Sequence, residues 1–275
     1  MRGVVATLVA LLVMPVAGCG GSSDEASRAN GSPQAQTTVA TTPPVSPTPT
    51  ATTVRPTPTP RSTHAKATTK PPVRAVRFPV AVTVGNATQV VTVKASGSYA
   101  KVTAWSRSAT GWRIVGGPWS GRVGANGVVP GSSRRQGTNT TPGGTYSMTE
   151  AFGVASDPGT TLPYLHLGSD DWWVEDNNSA YYNSHRRGSQ GGFDMSLPES
   201  DVNGSERLVT HPTTYRYAVV VNFNRWPAVR YRGAGVFLHV NGAGATAGCI
   251  SIPQSAMVTV LRWLKPSAHP RIAIG

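Results

Sequence analysis

Apolar residues between about Val73 and the C-terminus fall into short runs that Gly, Asn and Ser residues separate. Short runs that are rich in β-branched residues and bounded by turn residues predict β-strands. The predicted strands cover residues 80–84, 89–94, 101–105, 112–115, 216–222 and 235–239. The run at 216–222 is continuous enough to predict a central strand. The pattern therefore predicts a mainly-β domain over residues 74–275.

One helix is predicted near the C-terminus. Met257, Leu261 and Leu264 share one helical face, Pro253 precedes the segment and Pro266 follows it. Residues 271–274 then predict a last strand. The expected architecture is strands with few helices, and no internal repeat is evident.

The first residues have a different pattern, which is typical of export. Residues 4–17 form a mostly apolar run after Met1-Arg2, shorter than the ~20 residues that a membrane-spanning helix needs. The end of this run, Val16-Ala17-Gly18-Cys19, resembles a bacterial lipobox, which implies that Cys19 is lipidated and begins the mature chain. The alternative is an ordinary secretory cleavage site with an incidental cysteine.

A segment rich in Thr and Pro follows, without any acid between residues 37 and 72. Its apolar surface is too small for packing, so we predict an extended and solvated stalk. The predicted organisation is a lipoprotein signal peptide at 1–18, the stalk at 19–73 and the β-domain at 74–275. A chain anchored in this way would lie on the outer face of the cell membrane.

Composition and charge change this picture in two ways. A formal net charge of +13 would by itself suggest nucleic acid as a partner, but an export signal argues against that class. The only cysteines are Cys19 and Cys249. If Cys19 carries lipid, Cys249 is a lone thiol in a compartment where thiols are normally paired or absent. Catalysis would explain such a thiol, and a buried structural cysteine is the alternative.

The residues around Cys249 favour catalysis. His239 ends a predicted strand, and a connection containing Gly242, Gly244 and Gly248 leads back to Cys249. Thiol catalysis needs a base and donors for the oxyanion of a tetrahedral intermediate. We predict His239 as the base of the Cys249 nucleophile, with the N–H groups of Gly248 and Cys249 as oxyanion donors. The helix near Pro253 is expected to favour the thiolate modestly through its N-terminal dipole.

These residues resemble a known family. Phe237-Leu238-His239 followed by Thr246-Ala247-Gly248-Cys249-Ile250-Ser251-Ile252-Pro253 is similar to the signature of the L,D-transpeptidase (YkuD-type) catalytic domain. Upstream, Thr141-Pro142-Gly143-Gly144-Thr145-Tyr146 resembles the family's Thr-Pro-x-Gly segment. The segments 173–176, 181–183 and 205–208 resemble motifs of its shorter bacterial branch. The resemblance covers most of residues 74–275 and implies a β-sandwich of mixed sheets, with a helix after the cysteine.

Two departures concern the histidine. Many members carry a second histidine before Gly-Cys, where this chain has Ala247, and their connection from histidine to cysteine is commonly longer. The branch with Thr-Ala-Gly-Cys shares both features. The group that orients His239 is left open: a backbone carbonyl near Val240 or the Asn241 side chain would suffice, and Glu206 and Asp176 are distant candidates.

The resemblance implies a cysteine acyltransferase that acts on peptidoglycan stem peptides. Cys249 would attack the amide between the diamino acid and terminal D-alanine of a donor stem, and His239 would protonate the leaving D-alanine. A side-chain amine of an acceptor stem would then take the thioester, giving a 3→3 cross-link. The residues expected to bind substrate are Trp173, Tyr182, Asn183, Asn241 and Thr246. No metal, no cofactor and no nucleic acid is expected, and the protein is expected to be a monomer.

Other functions are compatible with the same residues. An L,D-carboxypeptidase would hydrolyse the same thioester, and a non-catalytic wall-binding lipoprotein would share the anchor and stalk. An NlpC/P60-type peptidase has its cysteine before its histidine, opposite to the order here. A sortase would need a catalytic arginine after the cysteine, and Arg262 has no such context.

Overall fold

The computed structural model describes residues 77–275. The predicted signal peptide (1–18), the lipidation site Cys19 and the predicted stalk (19–73) lie outside the described residues. Within 77–275, no helix combines the length and apolar character needed to cross a bilayer.

The described residues form strands, one α-helix and several 3₁₀ turns. The strands are β1 (Gln89–Ser96), β2 (Tyr99–Ser108), β3 (Gly111–Arg122), β4 (Val128–Pro130), β5 (Thr141–Gly153), β6 (Tyr164–His166), β7 (Asp171–Val174), β8 (Ser184–Arg187), β9 (Glu206–Arg207), β10 (Ala218–Val221), β11 (Phe237–Val240), β12 (Ile250–Ile252) and β13 (Arg271–Ile274). The α-helix is α1 (Gln254–Trp263). The 3₁₀ helices are Gly188–Gln190, Leu208–Thr210, Thr214–Arg216 and Pro266–Ala268.

The large sheet is mixed and folds back on itself. Its order is β10-β11-β12-β3-β2-β1-β13-β5-β4, and β5 also pairs with β10. The pairs β1–β13, β4–β5, β5–β6 and β11–β12 are parallel, whereas β1–β2–β3 is an antiparallel meander. The mainly-β fold of mixed sheets that the sequence predicts is thus confirmed.

Two apolar cores lie on opposite faces of β11 and β12. Successive side chains of a strand point to opposite faces. Leu238 and Ile250 accordingly lie in the main core, which the apolar face of α1 also fills. Phe237 and Cys249 point the other way, into a second core of largely aromatic residues. The strand alternation therefore directs the thiol away from the main core.

A small sheet, in the order β8-β7-β9, covers the second core. Trp173 of β7 packs edge-to-face on Phe237, with ring centroids 4.9 Å apart. Phe237 makes the same kind of contact with Phe152, at 4.9 Å. These aromatic contacts join the small sheet to β11, the strand that contains His239.

Three sequence predictions need correction. Residues 80–84 are not a strand, because side chains bond their backbone: Thr145 Oγ1 accepts from Thr83 N at 3.1 Å, and Arg271 Nη1 donates to Thr83 O at 3.0 Å. Residues 214–216 form a 3₁₀ turn, so the central strand begins only at Ala218. The long strand β5 was missed because Pro142 and two glycines at its start are typical of turns. The helix and the last strand are confirmed.

Candidate active site

A cleft of about 930 Å³ opens between the end of the large sheet and the small sheet. One side, which we call the nucleophile wall, consists of residues 234–252 and contains His239 and Cys249. The opposite side, which we call the acidic wall, is built from residues 175–215 and contributes Glu175, Glu199 and Glu206. The two walls differ in charge, since no Asp or Glu follows Glu206 in the sequence.

Parallel pairing of β11 with β12 places the two predicted catalytic side chains on one face. Leu238 is opposite Ile250, and His239 is opposite Ser251. Cys249 precedes Ser251 by two positions, so its side chain points to the same face as that of His239. Both residues line the cleft. The sheet register therefore brings together the cysteine and the histidine that the sequence singled out.

The Cys249 thiol is held by the backbone of the nucleophile wall. Sγ donates to Gly235 O at 3.2 Å and accepts from Phe237 N at 3.4 Å. Burial raises the pKa of this thiol well above its usual range, and the charge of Glu206 raises it further. Desolvation is the largest of these influences, so the resting site favours the thiol, and the modest contribution of the α1 dipole stays a prediction.

His239 is buried and held in one tautomer. Its Nδ1 lies 2.8 Å from Val240 O, and since a carbonyl can only accept, Nδ1 carries the proton. The orienting group is thus a backbone carbonyl, one of the options that the sequence left open. Burial lowers the pKa of His239 to about 4, so the imidazole is neutral near pH 7 and Nε2 has a lone pair available. No hydrogen bond joins this histidine to Cys249 Sγ in the described part of the chain.

The turn before Cys249 is shaped by Thr246. Its hydroxyl donates to Cys249 O at 2.7 Å and accepts from Gly248 N at 3.2 Å. Gly248 has φ of +149°, and a Cβ there would lie 2.8 Å from Arg134 Nη2 and 3.0 Å from Thr140 O. Glycine is therefore required by conformation and by close contacts. The Gly248 N–H already has a partner, so of the two predicted oxyanion donors the Cys249 N–H stays the candidate.

Tyr215 connects the acidic wall to the histidine. Its hydroxyl donates to Glu206 Oε1 at 2.6 Å, and its ring packs edge-to-face on His239 with centroids 5.6 Å apart. His211 Nε2 lies 2.9 Å from Glu199 Oε2 and 3.5 Å from Glu206 Oε1. Burial and neighbouring carboxylates raise the pKa of Glu206. Glu206 therefore reaches the histidine only through the tyrosine ring.

Two further candidates for the orienting group, Asp176 and Asn241, do not contact the imidazole through a hydrogen bond. Asp176 accepts from the backbone N–H groups of Asn178, at 2.8 Å, and Asp194, at 3.3 Å, so it shapes the loop after β7. Asn241 Oδ1 is buried without a hydrogen-bond partner among residues 77–275. Neither side chain bonds the imidazole.

Of the predicted substrate-binding residues, Thr246 lines the cleft, whereas Trp173, Tyr182, Asn183 and Asn241 do not. Asn183, which is 4% exposed, accepts from Trp173 Nε1 at 3.0 Å and from Gly235 N at 3.2 Å. Its Nδ2 donates to Phe223 O at 3.0 Å and to Asn224 O at 2.8 Å. Tyr182 bonds Gln136 Oε1 and accepts from Gly233 N at 3.0 Å. These hydrogen bonds indicate a structural role for Trp173, Tyr182 and Asn183. Their contact with substrate stays a prediction.

Sequence reasoning missed Arg134 and Glu175 as members of the cleft. Arg134 is only 5% exposed, and burial lowers its pKa while the charge of Glu175 opposes that change. Burial likewise raises the pKa of Glu175, and the charge of Arg134 opposes it. Neither residue lies near Cys249 in the sequence, and no local motif marks Arg134. Glu175 does lie in the segment 173–176 that resembles a family motif, but that resemblance gave it no role.

One group of side chains has the spacing of metal ligands. Ligand atoms of Glu199, Glu206 and His211 lie within 4.8 Å of one another. The sequence spacing of the histidines did not predict this group. Hydrogen bonds to His211 and Tyr215 already account for the arrangement of these carboxylates.

Comparison with protein-family models gives a match. The family model of the L,D-transpeptidase catalytic domain (YkuD) matches residues 79–272. Among curated proteins, none matches the chain. The matched range contains both walls of the cleft.

Proposed function

Because the chain belongs to the L,D-transpeptidase catalytic domain (YkuD) family, we propose that it forms 3→3 cross-links in peptidoglycan through a thioester on Cys249. One observation carries this proposal: Cys249 and His239 lie on the same face of paired parallel strands, at one cleft. The Nδ1 proton of His239 is committed to Val240 O, so Nε2 is the atom that can accept the thiol proton.

The first half of the proposed reaction acylates the enzyme. Sγ of Cys249 attacks the carbonyl carbon between the diamino acid and D-alanine of the donor stem, and the Sγ proton moves to His239 Nε2. Burial disfavours both a thiolate and an imidazolium, so proton transfer accompanies the attack instead of preceding it. The C–N bond then breaks, and the same proton leaves on the amine of D-alanine.

The second half transfers the acyl group. An amine of the acceptor stem attacks the thioester carbon, His239 Nε2 takes a proton from that amine, and the C–S bond breaks. The proton returns to Sγ, which restores the thiol. The Cys249 N–H stabilises the oxyanion in both halves, because it lies on the residue whose sulfur is bonded to the reacting carbon.

The test compares the full-length chain with its Cys249→Ala variant on a disaccharide-tetrapeptide. We expect the wild type to release D-alanine, to acquire the mass of the acylated tripeptide on Cys249 and to give cross-linked dimer. The variant should lose at least about 10³-fold in rate. Unchanged D-alanine release by the variant would refute the nucleophile assignment. Tripeptide without dimer would identify a carboxypeptidase, and no adduct at all would favour a non-catalytic wall-binding role.

The proposal includes the location and the partners. Donor and acceptor stems lie outside the cell membrane, where a chain lipidated at Cys19 and extended by residues 19–73 would be anchored. We propose that the protein acts there as a monomer. Labelling cells with radioactive fatty acid tests the anchor, since a wild-type chain that takes up no more label than Cys19→Ser excludes it.

A further inference from the structure

The Arg134 guanidinium presents an unused donor to the cleft. Nε donates to Thr140 O at 3.2 Å and Nη1 donates to Arg232 O at 3.3 Å. Within residues 77–275, nothing accepts a hydrogen bond from Nη2, which lies beside Gly248. A buried cation is normally paired, because removing its charge from water is costly. Two backbone carbonyls thus fix the side chain while its third nitrogen faces the cleft.

Glu175, which also lines the cleft, is the acidic counterpart of Arg134. Oε1 would lie 2.0 Å from a Cβ added to Gly235, the residue whose carbonyl accepts from Cys249 Sγ. In the described part of the chain, no hydrogen bond or ion pair reaches this carboxylate. Arg134 and Glu175 are close enough for their charges to interact, yet they form no direct ion pair. An arginine and a glutamate therefore line the cleft with Cys249, and neither forms an ion pair within the described residues.

The guanidinium of Arg134 and the carboxylate of Glu175 are complementary to the carboxylate and the amine of an α-amino acid. In the proposed reaction, the leaving group of acylation is D-alanine, whose amine and carboxylate are on the same carbon. When the acceptor is a diamino diacid, the attacking amine also has a carboxylate on its own carbon. One position beside the thioester therefore has to hold the same chemical group twice, first as leaving group and then as nucleophile.

We propose that Arg134 and Glu175 form an α-amino-acid subsite beside Cys249, in which the guanidinium binds the substrate carboxylate and Glu175 attracts the substrate amine. This inference rests on the proposed function. It makes Arg134 a determinant of specificity for a free C-terminal carboxylate in the donor. It also makes Glu175 a determinant of whether an amine or water takes the acyl group.

The donor experiment compares a tetrapeptide stem with the same stem whose C-terminal carboxylate is replaced by a carboxamide. We expect the wild type to release D-alanine from the free acid about 10–100-fold faster, at equal concentration, than it releases D-alaninamide. Arg134→Gln should abolish this preference by slowing only the free acid. Arg135→Gln is the matched control, because Arg135 is exposed, lies outside the cleft and loses the same charge. It should keep the preference.

The acceptor experiment measures dimer against hydrolysed tripeptide in the same proteins. Glu175→Gln should shift the ratio about 10-fold towards hydrolysis while the donor preference for a free acid persists. Arg134→Gln that slows acid and amide equally would overturn the subsite and indicate an oxyanion role for Arg134. An unchanged ratio in Glu175→Gln would overturn the part assigned to that residue.

Binding of D-alanine separates failure of the subsite from failure of the proposed function. Line broadening in NMR spectra should show D-alanine, and not D-alaninamide, binding to the Cys249→Ala variant, and Arg134→Gln should remove that binding. If the wild type does not turn over stem peptides but D-alanine binds in this way, the transpeptidase proposal fails and the subsite stands. If turnover occurs but D-alanine and its amide bind equally, the subsite fails alone.

Discussion

The two walls of the cleft are built from different kinds of sequence. The nucleophile wall is nearly continuous: one parallel strand pair and its connecting turn provide the histidine, the thiol and the turn hydroxyl of Thr246. The acidic wall combines a short strand, loops and 3₁₀ turns, and its carboxylates are distant in sequence. Backbone hydrogen bonds hold the groups of the first wall, whereas side chains largely hold those of the second.

This difference suggests that the two walls have different functions. Backbone carbonyls do not titrate, so the thiol and the imidazole keep their positions as pH changes. Burial raises the pKa values of Glu175 and Glu206 in the acidic wall, so their charge responds to pH and to bound substrate. The nucleophile wall is therefore suited to the chemistry, and the acidic wall to recognition of charged groups.

The largest expected effect tests this difference in function directly. His239→Gln should lower the rate of D-alanine release by about 10²–10⁴-fold, because it removes the base and acid of both half-reactions. Glu206→Gln should cost less than about 10-fold, since Glu206 bonds Tyr215 and not the imidazole. Single-turnover rates with a tetrapeptide stem measure both. Equal losses in the two variants would show that the acidic wall takes part in the proton transfers.

The same difference explains how much the sequence could predict. His239 and Cys249 were found because strand alternation, a glycine-rich turn and a family signature all lie within one short segment. The Val240 carbonyl was one of several options because any backbone carbonyl has the same chemistry. Arg134 and Glu175 could not be found, since their proximity depends on how distant loops fold. The structural role of Asn183 could not be predicted for a related reason, because an Asn in a sequence motif does not reveal whether its side chain faces the cleft or the protein interior.

The next effect concerns how the walls are held together. Asn183 links Trp173 of the small sheet with Gly235 of the nucleophile wall, and it has φ of +60°, which Asn tolerates better than most residues. Asn183→Ala should lower the free energy of unfolding by about 3 kcal/mol, because buried donors and acceptors lose their partners. Urea titration measures this loss.

Asn178→Ala is the matched control, because Asn178 lies in the same loop and is exposed. Its free energy of unfolding should change by less than about 0.5 kcal/mol. If Asn183→Ala is as stable as this control, Asn183 does not hold the walls, and a direct contact with substrate becomes its better role.

The smallest expected effect is a pH dependence of stability that comes from the nucleophile wall. The pKa of His239 is about 4 in the folded protein, below its ordinary value of 6.5, because burial disfavours the imidazolium. The unfolded chain therefore binds this proton first as pH falls. Stability should be unaffected above about pH 7 and should decrease progressively from pH 6.5 to pH 4, by about 2 kcal/mol between pH 7 and pH 5.

Comparison with His239→Gln isolates this contribution, because Glu175 and Glu206 titrate in both proteins. The difference in unfolding free energy between wild type and variant should shrink by about 2 kcal/mol from pH 7 to pH 5. A difference that stays constant would mean that His239 binds its proton equally in both states. The imidazole would then exchange protons with solvent near neutral pH. The burial of the imidazole would then not disfavour its charged form, and the argument that proton transfer accompanies the attack would lose its support.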